Sequence, residues 1–372
     1  MQKHNREELL KALETVSAAI ANNVVVPILH YIGFTGTTIF AYNSFMAIRT
    51  PLETEFEGAV HGEMLIDILK SWNAEEVELE VETIPKAKEG NPTRRLIVKA
   101  GKESIAKFEM EDNLENFNYL KDGNLPEAGK SSVIEDPNFF IAIDCCIRSI
   151  DNDPSIPDQT GVTLISENGT NLDVYSTDTS SLSWVSLELP HPINLKNRVI
   201  LKEEFCKQML KLKSDSPVLE LDDDAERAFY TDGTTVLDVK YVTTNKPVDF
   251  KEIRNHYEQK VIKGKPRVPF PDNLESALNS AIIVADKIEG KYMKVSIKKP
   301  GKLHLYASTP DKIELSEFLE INDKHPLITD EISVEPARLK KGTSFFEKWL
   351  ITDKAVLMEK DNMTYLVAVL GE

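Results

Sequence analysis

One apolar spacing recurs three times along this chain, and it constrains the fold more than any other feature. Leu9, Leu13, Val16 and Ile20 form the first set; Phe139, Ile143, Cys146 and Ile150 the second; Leu274, Leu278, Ala281 and Ala285 the third. Each runs i, i+4, i+7, i+11, which is one face of a three-turn helix. The sets begin 130 and 135 residues apart and divide the 372 residues almost evenly. A period this long describes whole domains, since solenoid repeats run to about 20–50 residues. The elements that follow each helix repeat as well. Block one continues with β-rich runs over 24–48, parted by Gly33–Gly36. Block two has runs at 161–165 and 172–175 around Asn168-Gly169, a strong hairpin signal, and block three has 293–297 and 303–306 around Pro300-Gly301. Longer strands are predicted around 53–56, 183–189 and 314–321. A second helix is predicted on Leu65, Leu69 and Trp72, on Phe205, Met209 and Leu212, and across 336–349. Alternating strands close each block. The expected fold class is α+β: three similar domains, 1–128, 129–258 and 259–372, each two helices packed on antiparallel sheets.

Charge and composition narrow the function. There are 44 basic and 61 acidic residues, a net charge of −17. This argues against a protein that grips DNA over its whole surface, and leaves room for basic residues gathered on one inner surface. No run of about 18 apolar residues is present, so no membrane span is expected. The N-terminus has no apolar stretch of a secretion signal, and three cysteines make no disulfide framework. A reducing cytoplasm is the expected location. Asp151-Asn152-Asp153 and Asp222-Asp223-Asp224 lack calcium-loop spacing and sit where turns are expected. No zinc-protease, Cys-x-x-Cys, nucleophile-elbow or phosphate-loop motif occurs. No catalytic residue, metal or cofactor is expected. The second linker, 251–271, is long and basic, with Lys251, Arg254, Lys260, Lys263, Lys265 and Arg267, and is expected to be an ordered connector.

Several segments, in order along the whole chain, resemble the bacterial-type β sliding clamp of replicative DNA polymerases. They are Arg6-Glu7-Glu8-Leu9-Leu10, Val16-Ser17, Val26-Pro27-Ile28-Leu29, the run 63–72 followed by 75–81, Pro247-Val248-Asp249-Phe250, and Tyr365-Leu366-Val367-Ala368-Val369-Leu370. The resemblance implies a non-catalytic homodimer: a head-to-tail ring with helices lining the hole and sheets outside. Its implied partners are double-stranded DNA, bound without sequence preference, a DNA polymerase and a clamp loader.

The resemblance also implies three sites. Basic residues of the inner helices would face DNA: Lys70, Arg148, Lys202, Lys207, Lys211, Lys213, Arg338, Lys340 and Lys341. A partner-peptide pocket between domains two and three would involve Gln159, Thr177, Leu182, Val248, Ile253, Arg338, Leu366, Ala368 and Leu370. The dimer interface would join Lys102, Ile105, Lys107 and Phe108 to Ile283, Val284, Glu314 and Glu317 of the next copy, a basic edge against an acidic one. Three positions depart from the family. Asn23 stands where an Arg is frequent, Lys107 where an apolar residue is frequent, and Thr179-Ser180-Ser181 where Gly-His-Arg is expected. The last of these departures implies, within the resemblance, a divergent clamp of the kind a phage would encode, with its own partner peptide. The competing reading is a tandem-domain structural or adhesive protein, which would lack the helix pair of each block.

Overall fold

The computed structural model describes residues 2–21, 26–85, 93–112, 131–151, 153, 155–195, 198–212, 214, 216–243, 248–299, 301–321 and 331–370. Asn23, Lys213 and the first expected domain boundary lie outside them. The chain forms two compact units, Met1–Glu135 with Gln208–Tyr241, and Asp136–Lys207 with Val242–Glu372.

The first unit holds two sheets. One runs β1 (Gln2–Asn5), β6 (Glu76–Ile84), β7 (Thr93–Ala100), β8 (Ser104–Glu109). The other runs β5 (Glu57–His61), β2 (Tyr31–Thr35), β3 (Thr38–Tyr42), β4 (Met46–Pro51), then β16 (Val236–Lys240), β15 (Arg227–Thr231), β14 (Val218–Asp222), β9 (Ser132–Ile134). Helices α1 (Arg6–Ser17) and α2 (Gly62–Ser71) belong to this unit. The Asn5 side chain starts α1 by accepting from the Glu7 and Glu8 backbone N–H groups at 2.9 and 3.2 Å. Leu9, Leu13 and Val16 of α1 are fully buried, as their spacing predicts.

The second unit has the same plan. Its large sheet runs β13 (Val199–Lys202), β10 (Gly161–Ile165), β11 (Asn171–Thr177), β12 (Ser181–Glu188), then β24 (Met363–Ala368), β23 (Ala355–Lys360), β22 (Lys348–Ile351), β17 (Val268–Pro269). Its small sheet runs β20 (Glu314–Glu320), β19 (Lys302–Ser308), β18 (Met293–Lys299), β21 (Ile332–Val334). The helices are α3 (Pro137–Cys146), α5 (Phe250–His256), α6 (Leu274–Ala285) and α7 (Pro336–Thr343), while α4 (Glu203–Lys211) carries the chain back to the first unit. Asp136 caps α3 and Pro137 occupies its first turn, where a missing N–H costs nothing. Every hairpin is antiparallel, and the Asn168-Gly169 turn joins β10 to β11 with Gly169 at φ 78°.

The pairing pattern makes the threefold repeat explicit. Among the described residues the strands fall eight to a block, β1–β8, β9–β16 and β17–β24. The order 1-6-7-8 becomes 9-14-15-16 and 17-22-23-24, and the order 5-2-3-4 becomes 13-10-11-12 and 21-18-19-20. Each block is thus two four-stranded sheets with a helix pair. The two compact units cut through the middle block because its two sheets each extend a neighbour's. Strand β4 pairs with β16, and β12 pairs with β24.

The sequence expectations need three corrections. Residues 53–56 are not a strand. The Thr54 N–H donates to the Gly36 carbonyl at 2.7 Å and its hydroxyl to the Phe56 carbonyl at 2.9 Å, which bends the chain between β4 and β5. The helix expected across 336–349 stops at Thr343, and Trp349 is buried in β22 instead. Gly342 lies against Met358 and Tyr365, so closely that a Cβ there would stand 2.2 Å from the Met358 Sδ. Lys202 ends strand β13 and is not on the following helix.

Close strand packing makes one glycine critical. A Cβ on Gly161 would stand 2.2 Å from the Leu201 carbonyl oxygen, a backbone atom that cannot swing aside. Gly161→Ala is expected to destabilise the protein by about 1–3 kcal/mol, read as a lower urea midpoint at unchanged slope.

Candidate functional site

The basic residues expected on inner helices have different surroundings. Lys70 lies in the last turn of α2 with its Nζ 2.8 Å from Glu14 Oε1, and that hydrogen bond holds the ammonium above its ordinary pKa. Lys207 pairs with Glu203 at 2.7 Å one turn earlier, leaving half of its side chain exposed. Lys211 is exposed on the rim of a cleft of about 400 Å³, facing Lys11 and Glu14 above a floor of Ile48 and Leu237. Lys202 and Lys340 are half-buried and Lys341 is exposed. Lys11 was not among the expected residues; its place on α1, out of phase with Leu9 and Leu13, is the signal that would have found it.

Two arginines of that set, Arg148 and Arg338, are largely buried and engaged within the protein. Arg148 donates to the Asp144 carbonyl, to Asp144 Oδ1 at 2.9 Å and to the Lys341 carbonyl at 3.2 Å, and its guanidinium lies 4.4 Å from the Phe345 ring centroid. Arg338 is held by Asp178 and by Glu335 at 2.5 Å. Side chains committed this fully cross-link the protein and have few donors left for phosphate.

Of the expected pocket residues, Thr177, Leu182, Leu366 and Ala368 lie in the large sheet of the second unit. Leu182 lies opposite both Thr177 and Leu366 across neighbouring strands. Leu182 and Leu366 are 3% and 2% exposed, within a cluster that includes Tyr175, Trp184, Leu350 and Leu357. Phe250, just before the linker, and Val261 and Ile262 within it pack into the same cluster, Phe250 stacking on Tyr175 at 5.0 Å. Leu182 and Leu366 therefore pack into the core of this unit. Val248, Ile253, Ala368 and Leu370 are half-buried and supply the apolar surface at the margin. Gln159 is 4% exposed, and its Oε1 finds no hydrogen-bond partner among the described residues.

Beside this surface the Thr179-Ser180-Ser181 turn is built around Asp178. Its Oδ1 accepts from the Ser180 and Ser181 N–H groups at 3.2 and 2.6 Å and from the Ser181 hydroxyl at 2.8 Å. Thr179 has φ 69°, the left-handed region that glycine occupies freely and a β-branched residue rarely does.

Strands β8 and β20 are end strands of the two small sheets. Strand β8 pairs only with β7, and β20 only with β19, among the described residues. Ile105 of β8 is 54% exposed, with Lys102 and Lys107 exposed on either side. In the other unit Phe318 of β20 is 51% exposed and Ile283 of α6 is 71% exposed, with Glu314 exposed and Glu317 half-buried. Phe108 and Val284 are buried within their own units. Ile283 and Val284 are neighbours about 100° apart on one helix, so only one can face outward. Lone exposed apolar residues are ordinary, but Ile105 and Phe318 sit on open strand edges, where proteins normally place blocking charges.

The Asp clusters have structural partners. Asp222 Oδ1 accepts from the Asp224 and Ala225 N–H groups at 3.0 Å each, closing the turn after β14, and the Tyr241 hydroxyl donates to Asp223 at 2.6 Å. Among the described residues no group of three or more His, Cys, Asp or Glu is placed to hold a metal. Cys145, Cys146 and Cys206 are free and buried. Burial pushes the Cys146 and Cys206 thiols well above their ordinary pKa, so neither carries appreciable thiolate at pH 8. A disulfide-exchange reagent at pH 8 is expected to label no thiol in the native protein and all three once denatured.

Three eight-stranded blocks with paired helices define a three-domain clamp fold. Solved structures of bacterial DNA polymerase β clamps share it over the full chain. The β subunit of Bartonella birtlesii, bound to griselimycin, aligns with a TM-score of 0.77 at 16% identity, covering 100% of this chain and 99% of that one. The Pseudomonas aeruginosa sliding clamp aligns at 0.74 and 17%, again over 100% and 99%. The Helicobacter pylori β clamp bound to a DNA ligase peptide aligns at 0.72 and 15%, over 99% of each chain. No family model and no curated protein matches the sequence. No described helix is long and apolar enough to cross a membrane.

Proposed function

We propose that this protein is a DNA sliding clamp, a non-catalytic processivity factor that encircles duplex DNA as a homodimer and tethers a replicative polymerase and other partners. One observation carries the reading. Strand β4 joins β16 and β12 joins β24, so the third member of the series is β20 joining β8. Both are end strands of the small sheets among the described residues, and we assign their pairing to another copy of the chain. Head-to-tail pairing of two copies closes the series into a ring. Ile105 would then meet Phe318 and Ile283, with Lys102 and Lys107 facing Glu314 and Glu317. The domains are those of the three blocks, 1–128, 129–258 and 259–372.

Within such a ring Lys70, Lys207, Lys211, Lys340 and Lys341, with Lys11, are the cations we assign to phosphate contact. Retention by topology needs only a few of them, which agrees with a net charge of −17. Partner peptides would seat at Val248, Ile253, Ala368 and Leu370, beside Gln159 and the Asp178 turn. The replaced pocket motif fits a replication system with its own partners, such as a phage's, acting in the cytoplasm.

Two measurements test the reading together. Sedimentation at physiological salt should give twice the 41.9 kDa chain mass and nothing larger. Protein loaded on a nicked circle should stay bound in salt and be lost when the circle is cut. A strict monomer never retained on circles, even with a loader present, would instead support a tandem-domain scaffold.

A further inference from the structure

The basic linker has no part in the ring edges or the inner helices. From Gln259 to Arg267 it carries Lys260, Lys263, Lys265 and Arg267 and no carboxylate, in a chain of net charge −17. The structure holds this stretch in place. Val261 and Ile262 are 4% and 5% exposed and anchor it in the apolar cluster of Leu182 and Leu366. The Ile262 N–H donates to the Tyr257 carbonyl at 3.0 Å, and the Lys265 N–H to the Ile262 carbonyl at 3.1 Å. Gly264 turns the chain at φ 70° in open space. At the far end Arg267 grips Glu359 with two bonds of 2.8 and 2.9 Å.

Lys260, Lys263 and Lys265 are left exposed on a fixed turn. None of the three meets a carboxylate among the described residues; Lys263 reaches only the Gln259 side-chain oxygen, at 3.2 Å. The preceding cations differ: Lys251 pairs with Glu167 at 2.8 Å and Arg254 with Glu258 at 2.8 Å. An acidic partner is repelled by most of this protein and steered to the place where the sign reverses. The half-buried Val248, Ile253 and Tyr257 lie on the same segment, just before the lysines. A single-stranded nucleic acid would want exposed aromatic rings to stack on. Here Tyr257 is half-buried, and Phe270 packs edge-on against Trp349 at 5.5 Å.

We propose that this lysine turn is a docking site for an acidic segment of a protein partner, the part flanking an apolar anchor seated at Val248 and Ile253. The proposal rests on the peptide-binding reading of that surface. Its probe is a short labelled peptide with a Leu-Phe pair between runs of glutamate, compared with the same peptide carrying lysines, by fluorescence anisotropy on the full chain. The glutamate probe should bind at least about tenfold more tightly, and the preference should fade as salt rises from about 0.05 to 0.5 M. Combining Lys260→Glu, Lys263→Glu and Lys265→Glu should abolish the preference while leaving sedimentation unchanged. Equal binding of the two probes, or a preference that survives the triple substitution, overturns the proposal. So does a duplex oligonucleotide that displaces the glutamate probe from the unmodified protein but binds the triple variant less well. Retention on circular DNA is read separately, so loss of the docking site with retention intact, and loss of retention with docking intact, identify which reading has failed.

Discussion

Ile105→Asp is expected to convert the proposed dimer to a monomer, at concentrations where that proposal has the unmodified protein dimeric. Ile105 is 54% exposed on the free edge of β8, so within one chain the carboxylate points into water and folding is barely affected. In the closed ring the same position would be covered by Ile283 and Phe318. An unpaired charge buried there costs about 3–5 kcal/mol, which weakens dimerisation by about two to four orders of magnitude. Sedimentation across a concentration series reads this directly, and a urea titration at low concentration checks that the monomer is intact. Ile283→Asp should act alike from the other edge. If Ile105→Asp leaves the dimer's dissociation constant unmoved, the β8–β20 pairing is wrong, whatever the oligomeric state.

Asp178→Ala should be among the most destabilising single changes in the second unit. The carboxylate is 4% exposed, accepts from Ser180 and Ser181, and pairs with Arg338, whose side chain is only 21% exposed. Removing it strands a partly buried guanidinium and frees two backbone N–H groups, at a cost of about 3–5 kcal/mol. Urea unfolding would show it. Asp178→Asn keeps an acceptor for the turn and should lose less. The same turn borders the proposed peptide surface, so binding of an apolar-anchored probe should weaken together with stability in Asp178→Ala. A loss under about 1 kcal/mol would mean that Glu335 alone holds Arg338.

Much of the fold was legible in the chain. The helix faces of Leu9, Phe139 and Leu274 are local patterns, set by a period of 3.6 that no tertiary contact needs to supply. The hairpin turn at Asn168-Gly169 is equally local. The misread segments were those where distant packing overrode the local pattern. Trp349 continues a helical spacing from Leu339, yet β23 recruits residues 348–351 into a sheet. Residues 53–56 have strand composition, yet the Gly36 carbonyl captures Thr54 into a bend.

Site residues were less legible, because type and spacing do not say which way a side chain turns. Arg148 is a basic residue just beyond a helix expected to face DNA, but its donors are taken by Asp144 and the Lys341 carbonyl, a residue 193 positions away. Val284 and Ile283 are equal as sequence symbols, and only packing separates a buried residue from an exposed one. The linker shows the division most clearly. Its run of cations could be read from the chain, but whether they were paired could not.

By itself, the sequence determined the threefold repeat, the kinds of element in each block and the excess of acidic charge, because these depend on short-range periodicity and on composition. Tertiary structure alone decided that β4 joins β16, that β12 joins β24, and that β8 and β20 remain open among the described residues. Strand pairing between blocks is a contact across more than a hundred residues, and it depends on which edges the packed sheets leave unsatisfied.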